Sequence, residues 1–181
     1  MLPITIPKQR LWNEETEQFI NIPQKTIQLE HSLVSLSRWE SRWKKPFLDE
    51  KTVKTPEQTL DYIRCMTLTQ NVDPILYYGL TPENFDEIDR YIQDPMTATW
   101  FSDKKTSKQS RQIITSELIY YWMVAQQIPM ECQKWHLNRL ITLIRVCAEM
   151  NQPKKNMSKR DILSQNRALN AARRARLHSK G

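Results

Sequence analysis

The chain has 181 residues, 39% of them hydrophobic, enough for one domain with an apolar core and no need of metal or disulfide staples. Its net charge of +7 is unevenly placed. From Asn151 onward nine basic residues stand against one acid, Asp161, and the preceding 150 residues hold 18 basic and 19 acidic groups. A near-neutral body (1–150) with a strongly basic tail (151–181) points to an anionic partner for the tail and argues against a DNA-binding body.

The first thirty residues carry short runs rich in β-branched and aromatic residues, Ile4–Ile6, Gln18–Ile22 and Thr26–Glu30, broken by Pro7 and Pro23. The alternation of Ile20 and Ile22, and of Ile27 and Leu29, predicts a small β-hairpin turning near Pro23-Gln24. Helices follow. Ser32 can cap a helix from Leu33 to about Lys45, with Leu36, Trp39 and Trp43 on one face and Pro46 as its end. Thr55-Pro56-Glu57-Gln58 reads as a capping-box start, with Leu60, Ile63 and Thr67 on one stripe and Met66 beside it. A similar start at Thr81-Pro82-Glu83 precedes Phe85, Ile88 and Ile92 at helical spacing.

The stretch DPMTATWFSDKKTSKQS is a loop, with Trp100-Phe101 expected to fold back onto the body. Ile114, Leu118, Tyr121, Trp122 and Ala125 make a broad apolar face before Pro129. The run from Cys132 to Met150 places His136, Leu140, Leu143 and Cys147 on one stripe, with Leu137, Ile141 and Ile144 alongside, which suggests the central core helix. Asn151-Gln152-Pro153 breaks the pattern, and Ser158 caps a last helix that lacks a continuous apolar stripe and so should project. The fold class is therefore mainly α: a compact helical domain with a small N-terminal β-hairpin and a projecting basic C-terminal helix.

Catalytic signatures are missing. Glycine occurs only at Gly79 and Gly181, so no Gly-rich phosphate cradle can be built. His31, His136 and His178 lie far apart in the sequence, and Cys65, Cys132 and Cys147 sit in apolar runs as buried, reduced thiols. Cys132 and His136 stand one helical turn apart, but on an apolar stripe such a pair is packing, because nucleophile, base and orienting group must converge. Acid pairs such as Asp86-Glu87 and Glu14-Glu15 read as solvated faces. No enzyme, cofactor or metal is expected. The opening MLPITIPKQR has no apolar core of a signal peptide, and the apolar runs fall short of the ~20 residues that span a bilayer, so no membrane association is expected.

Six tryptophans are many for this length. In RWESRWKKPF, Arg38-Trp39 and Arg42-Trp43 repeat on one helix, a pattern that suits either a partner-binding face or a core helix with snorkelling arginines. The core reading is preferred for one or both tryptophans.

The blocks LEHSLVSLSRWESRWKKPF, DYIRCMTLTQNV, MTATWF, WHLNRLITLIRVC and LNAARRARLHSKG, in this order, resemble the tail assembly chaperones of long-tailed bacteriophages. The resemblance implies a non-enzymatic, mostly helical protein of the infected host cytoplasm. It would hold the helical tape-measure protein, or another tail protein, soluble until the tail tube polymerises, and be absent from the mature virion. It also implies a short form and a frameshift-extended form. Seven methionines suit an adaptable apolar surface for such a client, with a homo-oligomer as a further partner.

The tail carries Arg167, Arg173, Arg174 and Arg176 with no acid after Asp161. Three readings follow: a docking arm for protein, a non-specific hand for nucleic acid, and a solvated end. The first is preferred. A minor structural protein of the virion, in tail or connector, remains the alternative to a chaperone.

Overall fold

The computed structural model describes residues 1–13, 17–49, 51–101, 113–151 and 159–177. The chain forms two compact units, Met1–Ala148 and Glu149–Gly181. The fold is mainly α. Among the described residues no helix is long and apolar enough to cross a membrane.

The N-terminal region is one long hairpin. Strands β1 (Leu2–Ile6) and β2 (Gln9–Asn13) form its first arm, β3 (Gln18–Ile22) and β4 (Lys25–Leu29) its second. β1 pairs with β4 and β2 with β3, both antiparallel and in one shared register: Leu2 faces Leu29, Ile6 faces Lys25, Gln9 faces Ile22 and Asn13 faces Gln18. The chain therefore reverses between Asn13 and Gln18 rather than at Pro23-Gln24. Pro7 and Pro23, which cannot donate to a ladder, sit in the gaps of the two arms and break the ribbon in two. Ile4, Ile6, Ile27 and Leu29 face the core before the break, and Ile22 does so beyond it.

Helix α1 (Leu33–Trp43) starts at a capping box in which Ser32 and Ser35 exchange side-chain and backbone hydrogen bonds. It ends at Lys44, whose φ of 54° turns the chain out before Pro46. α1 divides two cores. Trp39 packs with the hairpin, with α2 (Pro56–Met66), with a 3₁₀ turn at Pro74–Gly79 and with α3 (Pro82–Gln93). Leu33 and Leu36 pack instead with α4 (Ser116–Ala125) and α5 (Leu137–Met150). The capping boxes at Thr55/Gln58 and Thr81/Asn84 start α2 and α3 as their sequences predict.

α4 buries Ser116, Ile119 and Met123, whereas Tyr121 and Val124 are exposed. Of the expected face, Ile114, Tyr121 and Ala125 are exposed, while Leu118 and Trp122 are half-buried and Trp122 packs against the core. The helix is apolar on nearly every side, so periodicity alone does not pick its inner face. It closes in a Schellman arrangement: Ile128 N–H donates to the Met123 carbonyl at 2.8 Å and Gln127 N–H to that of Val124 at 3.1 Å, with Gln127 at φ 55°.

The segment Met130–Lys134 is a 3₁₀ turn, and α5 begins only at Leu137, so Cys132 and His136 do not share a helix. Trp100 is 87% exposed and does not fold back, while the Phe101 ring lies 4.0 Å from the Arg145 guanidinium. The second unit contains helix α6 (Lys159–Leu177). Glu14-Glu15, the Pro153 break, the Ser158 cap and the loop centre from 102 to 112 lie outside the described residues.

Candidate functional site: a cation-rimmed cleft

The link from β4 into α1, Glu30-His31-Ser32, is held from two sides. Glu30 N–H donates to the Met66 carbonyl at 2.9 Å, where α2 ends. The His31 carbonyl accepts from Leu137 N–H at 2.7 Å, and Ser32 bridges to His136. The first amide of α5, which has no partner inside its own helix, is thereby satisfied by His31, which fixes where α5 begins.

This junction gathers polar side chains in the interior. His31 is 2% exposed, and its Nδ1 lies 2.6 Å from the Tyr62 hydroxyl. Its ring meets that of His136 edge to face, centroids 5.1 Å apart. His136 Nε2 lies 3.0 Å from the Tyr91 carbonyl, and a carbonyl only accepts, so Nε2 carries the proton. Burial holds His136 below its ordinary value and therefore neutral at pH 7, so its Nδ1 presents a bare lone pair. That nitrogen is buried and has no partner among the described residues. His31 is pushed down to about 3, first by burial and then by the charge His136 would carry. Tyr91 donates its hydroxyl to Glu30 Oε1 at 2.8 Å, and the Met1 ammonium lies 2.9 Å from Oε2. Both carboxylate oxygens of Glu30 are thus occupied.

Beside this cluster opens a cleft of about 600 Å³. Glu30 and His136 reach it from the junction, Met66, Leu68 and Trp135 supply apolar wall, and Arg38, Lys134 and Arg139 carry its positive charge. The three cations are exposed, and none forms an ion pair with a described residue. Arg139 stacks on the Trp135 ring at 4.5 Å. Cys65 also borders the cleft, but burial, followed by the nearby Asp61 charge, pushes its thiol up to about 11, so it is not a thiolate at neutral pH. Among the described residues no group of three or more metal-binding side chains comes together. The junction's buried side chains are hydrogen-bonded or, at His136 Nδ1, neutral, and the cleft beside them joins apolar wall to exposed cations.

The residues singled out in the sequence take separate places. Arg38 lies at the cleft. Trp39 is fully buried and donates Nε1–H to the Gln58 carbonyl at 2.8 Å, so it belongs to the core and not to a surface. Arg42 is bound to the buried carboxylate of Asp61, and half-buried Trp43 donates to the same carboxylate at 2.9 Å. Both reach Asp61, while the Arg42 side chain stays more than half exposed. Arg167, Arg173 and Arg174 are exposed on α6, as are Leu163 and Leu169, and the Arg176 side chain lies outside the described residues.

Sequence reasoning missed Glu30, His31, Tyr91, Lys134, Trp135, His136 and Arg139 as a group. His31 and His136, far apart in the chain, meet in space. The available signals were local only: Glu30-His31 directly before a helix cap, and a histidine directly before a helix start.

No protein-family model matches the chain, and no curated protein and no solved structure shows significant similarity to it.

Proposed function

We propose that the protein is a non-enzymatic binding protein for another protein, a tail assembly chaperone of the kind found in long-tailed bacteriophages. It holds the tape-measure protein in the host cytoplasm, with its basic C-terminal helix as a projecting docking arm, and leaves before the virion is complete. The observation that carries the protein-binding part is the cleft, with its apolar walls and three exposed cations that form no ion pair with a described residue. Exposed apolar side chains on and beside α4, Tyr121, Val124 and Met130, add contact surface of the kind amphipathic helices use. The phage assignment rests on the sequence blocks quoted above.

The test is a pull-down of the tagged protein from cells co-expressing the tape-measure protein, with and without nuclease. Retention of that protein after nuclease treatment is expected. Nucleic acid as the sole recovered partner, released by salt, would replace this reading with non-specific nucleic-acid binding, which the exposed Arg167, Arg173 and Arg174 favour as the second reading. Presence of the protein in purified virions would make it a minor structural component instead.

A further inference from the structure

The cleft has a polarity that selects its occupant. At its inner end the Glu30 carboxylate accepts from the Tyr91 hydroxyl and pairs with the Met1 ammonium, and the His136 Nδ1 is sealed from solvent. Its outer groups are cations from two places in the chain, Arg38 on α1, and Lys134 and Arg139 on either side of the α5 start. The Met1 ammonium at the inner end is already held by Glu30, so the positive charge open to an occupant is that of the outer three cations. Between the two zones the walls are apolar, with the flat Trp135 ring braced by Arg139. A volume of about 600 Å³ holds a few side chains rather than a whole helix.

We infer that the cleft docks an acidic amphipathic helical segment of the client, with apolar side chains seated against Leu68 and Trp135 and carboxylates on Arg38, Lys134 and Arg139. The inference rests on the reading of this chain as a protein-binding chaperone. It gives counterions to three cations that have none among the described residues and places the hydrophobic anchor where water is displaced from apolar wall.

The probe is a labelled 18-residue helical peptide of Leu, Ala and Glu with the acids on one face, followed by fluorescence anisotropy. Its control carries Lys in place of Glu. The Glu peptide is expected to bind and to weaken with salt, and the Lys peptide is not. The triple variant Arg38→Glu, Lys134→Glu, Arg139→Glu should weaken binding at least tenfold while melting like the wild type. If charge reversal disturbs the fold, the same three positions changed to Gln should still weaken it several-fold. The variant Lys8→Glu, Lys51→Glu, at exposed lysines that do not line the cleft, should bind the peptide as the wild type does. Equal binding of both peptides, an unaffected cleft variant, or displacement of the peptide by inorganic phosphate or an oligonucleotide would overturn the cleft assignment. The two readings fail separately. Tape-measure protein retained by the wild type and equally by the cleft variant removes the cleft as the docking site and leaves the chaperone. Peptide binding at the cleft with no tape-measure protein retained removes the chaperone and leaves the cleft.

Discussion

The rings of His31 and His136 meet edge to face with their centroids 5.1 Å apart, inside the junction that joins the hairpin, α1 and α5. Burial favours the neutral form of both, and each would repel the other if both were charged.

Stability should therefore fall with pH before the carboxylates titrate. A histidine held below its unfolded value of about 6.5 binds more protons in the unfolded chain, so stability is full above that pH and declines as pH drops. For His31, held down to about 3, the loss continues throughout that window. Each pH unit below 6.5 costs about 1.4 kcal/mol for such a group. Melting temperatures recorded from pH 7.5 to 5 should drop, and the slope should flatten in His31→Gln. An identical slope in the variant would show that His31 is not the group responsible.

Arg38 and Arg42 look alike in sequence and should behave differently. Asp61 is 4% exposed and takes Arg42 and Trp43 as its partners, while Arg38 forms no ion pair with a described residue. Arg42→Ala leaves a buried carboxylate with one donor fewer and should cost about 1–2 kcal/mol, discounted because the guanidinium is half in water. Arg38→Ala should stay within about 0.5 kcal/mol of wild type. Urea denaturation of the two variants checks the difference.

Glu40 braces the body from α1. Its Oε1 accepts from Phe47 N–H at 2.8 Å and its Oε2 from Ser116 N–H at 2.7 Å, the latter at the first turn of α4. Both oxygens are used as acceptors, so even the isosteric amide turns a donor toward an N–H. Glu40→Gln should cost about 1–3 kcal/mol, close to the cost of Glu40→Ala, as measured by chemical denaturation.

Gly79 lets the outer half of the hairpin approach the 3₁₀ turn. A Cβ there would stand 2.7 Å from Gln9 Nε2 and 3.0 Å from two methyl carbons of Ile22. Gln9 can swing aside only by giving up its hydrogen bond to the Gly79 carbonyl, and Ile22 is fully buried. Gly79→Ala should cost about 1–3 kcal/mol, and hydrogen exchange should speed up in β2 and β3 more than in β1 and β4.

What the sequence reveals follows the range of the interaction. The starts of α1, α2 and α3 are legible because Ser32, Thr55 and Thr81 cap within three residues of themselves. The hairpin turn is misplaced because Pro23 marks a break in an arm as readily as a reversal, and alternation looks the same either way. α4 gives no face because apolar residues surround it. The start of α5 depends on the His31 carbonyl, contributed from a distant part of the chain, and periodicity cannot supply it. The same limit hides the cleft. Arg38 is visible as a charged residue, but its neighbours Lys134, His136 and Arg139 join it only through the junction between β4, α1 and α5.

The most direct test of the central claim is the solubility of the tape-measure protein made with and without this chain in the same cells. Fractionation should move that protein from the pellet to the supernatant when the chain is present, and the two should elute together on gel filtration. A tape-measure protein that pellets equally in both cases, with this chain alone in the supernatant, would contradict the account.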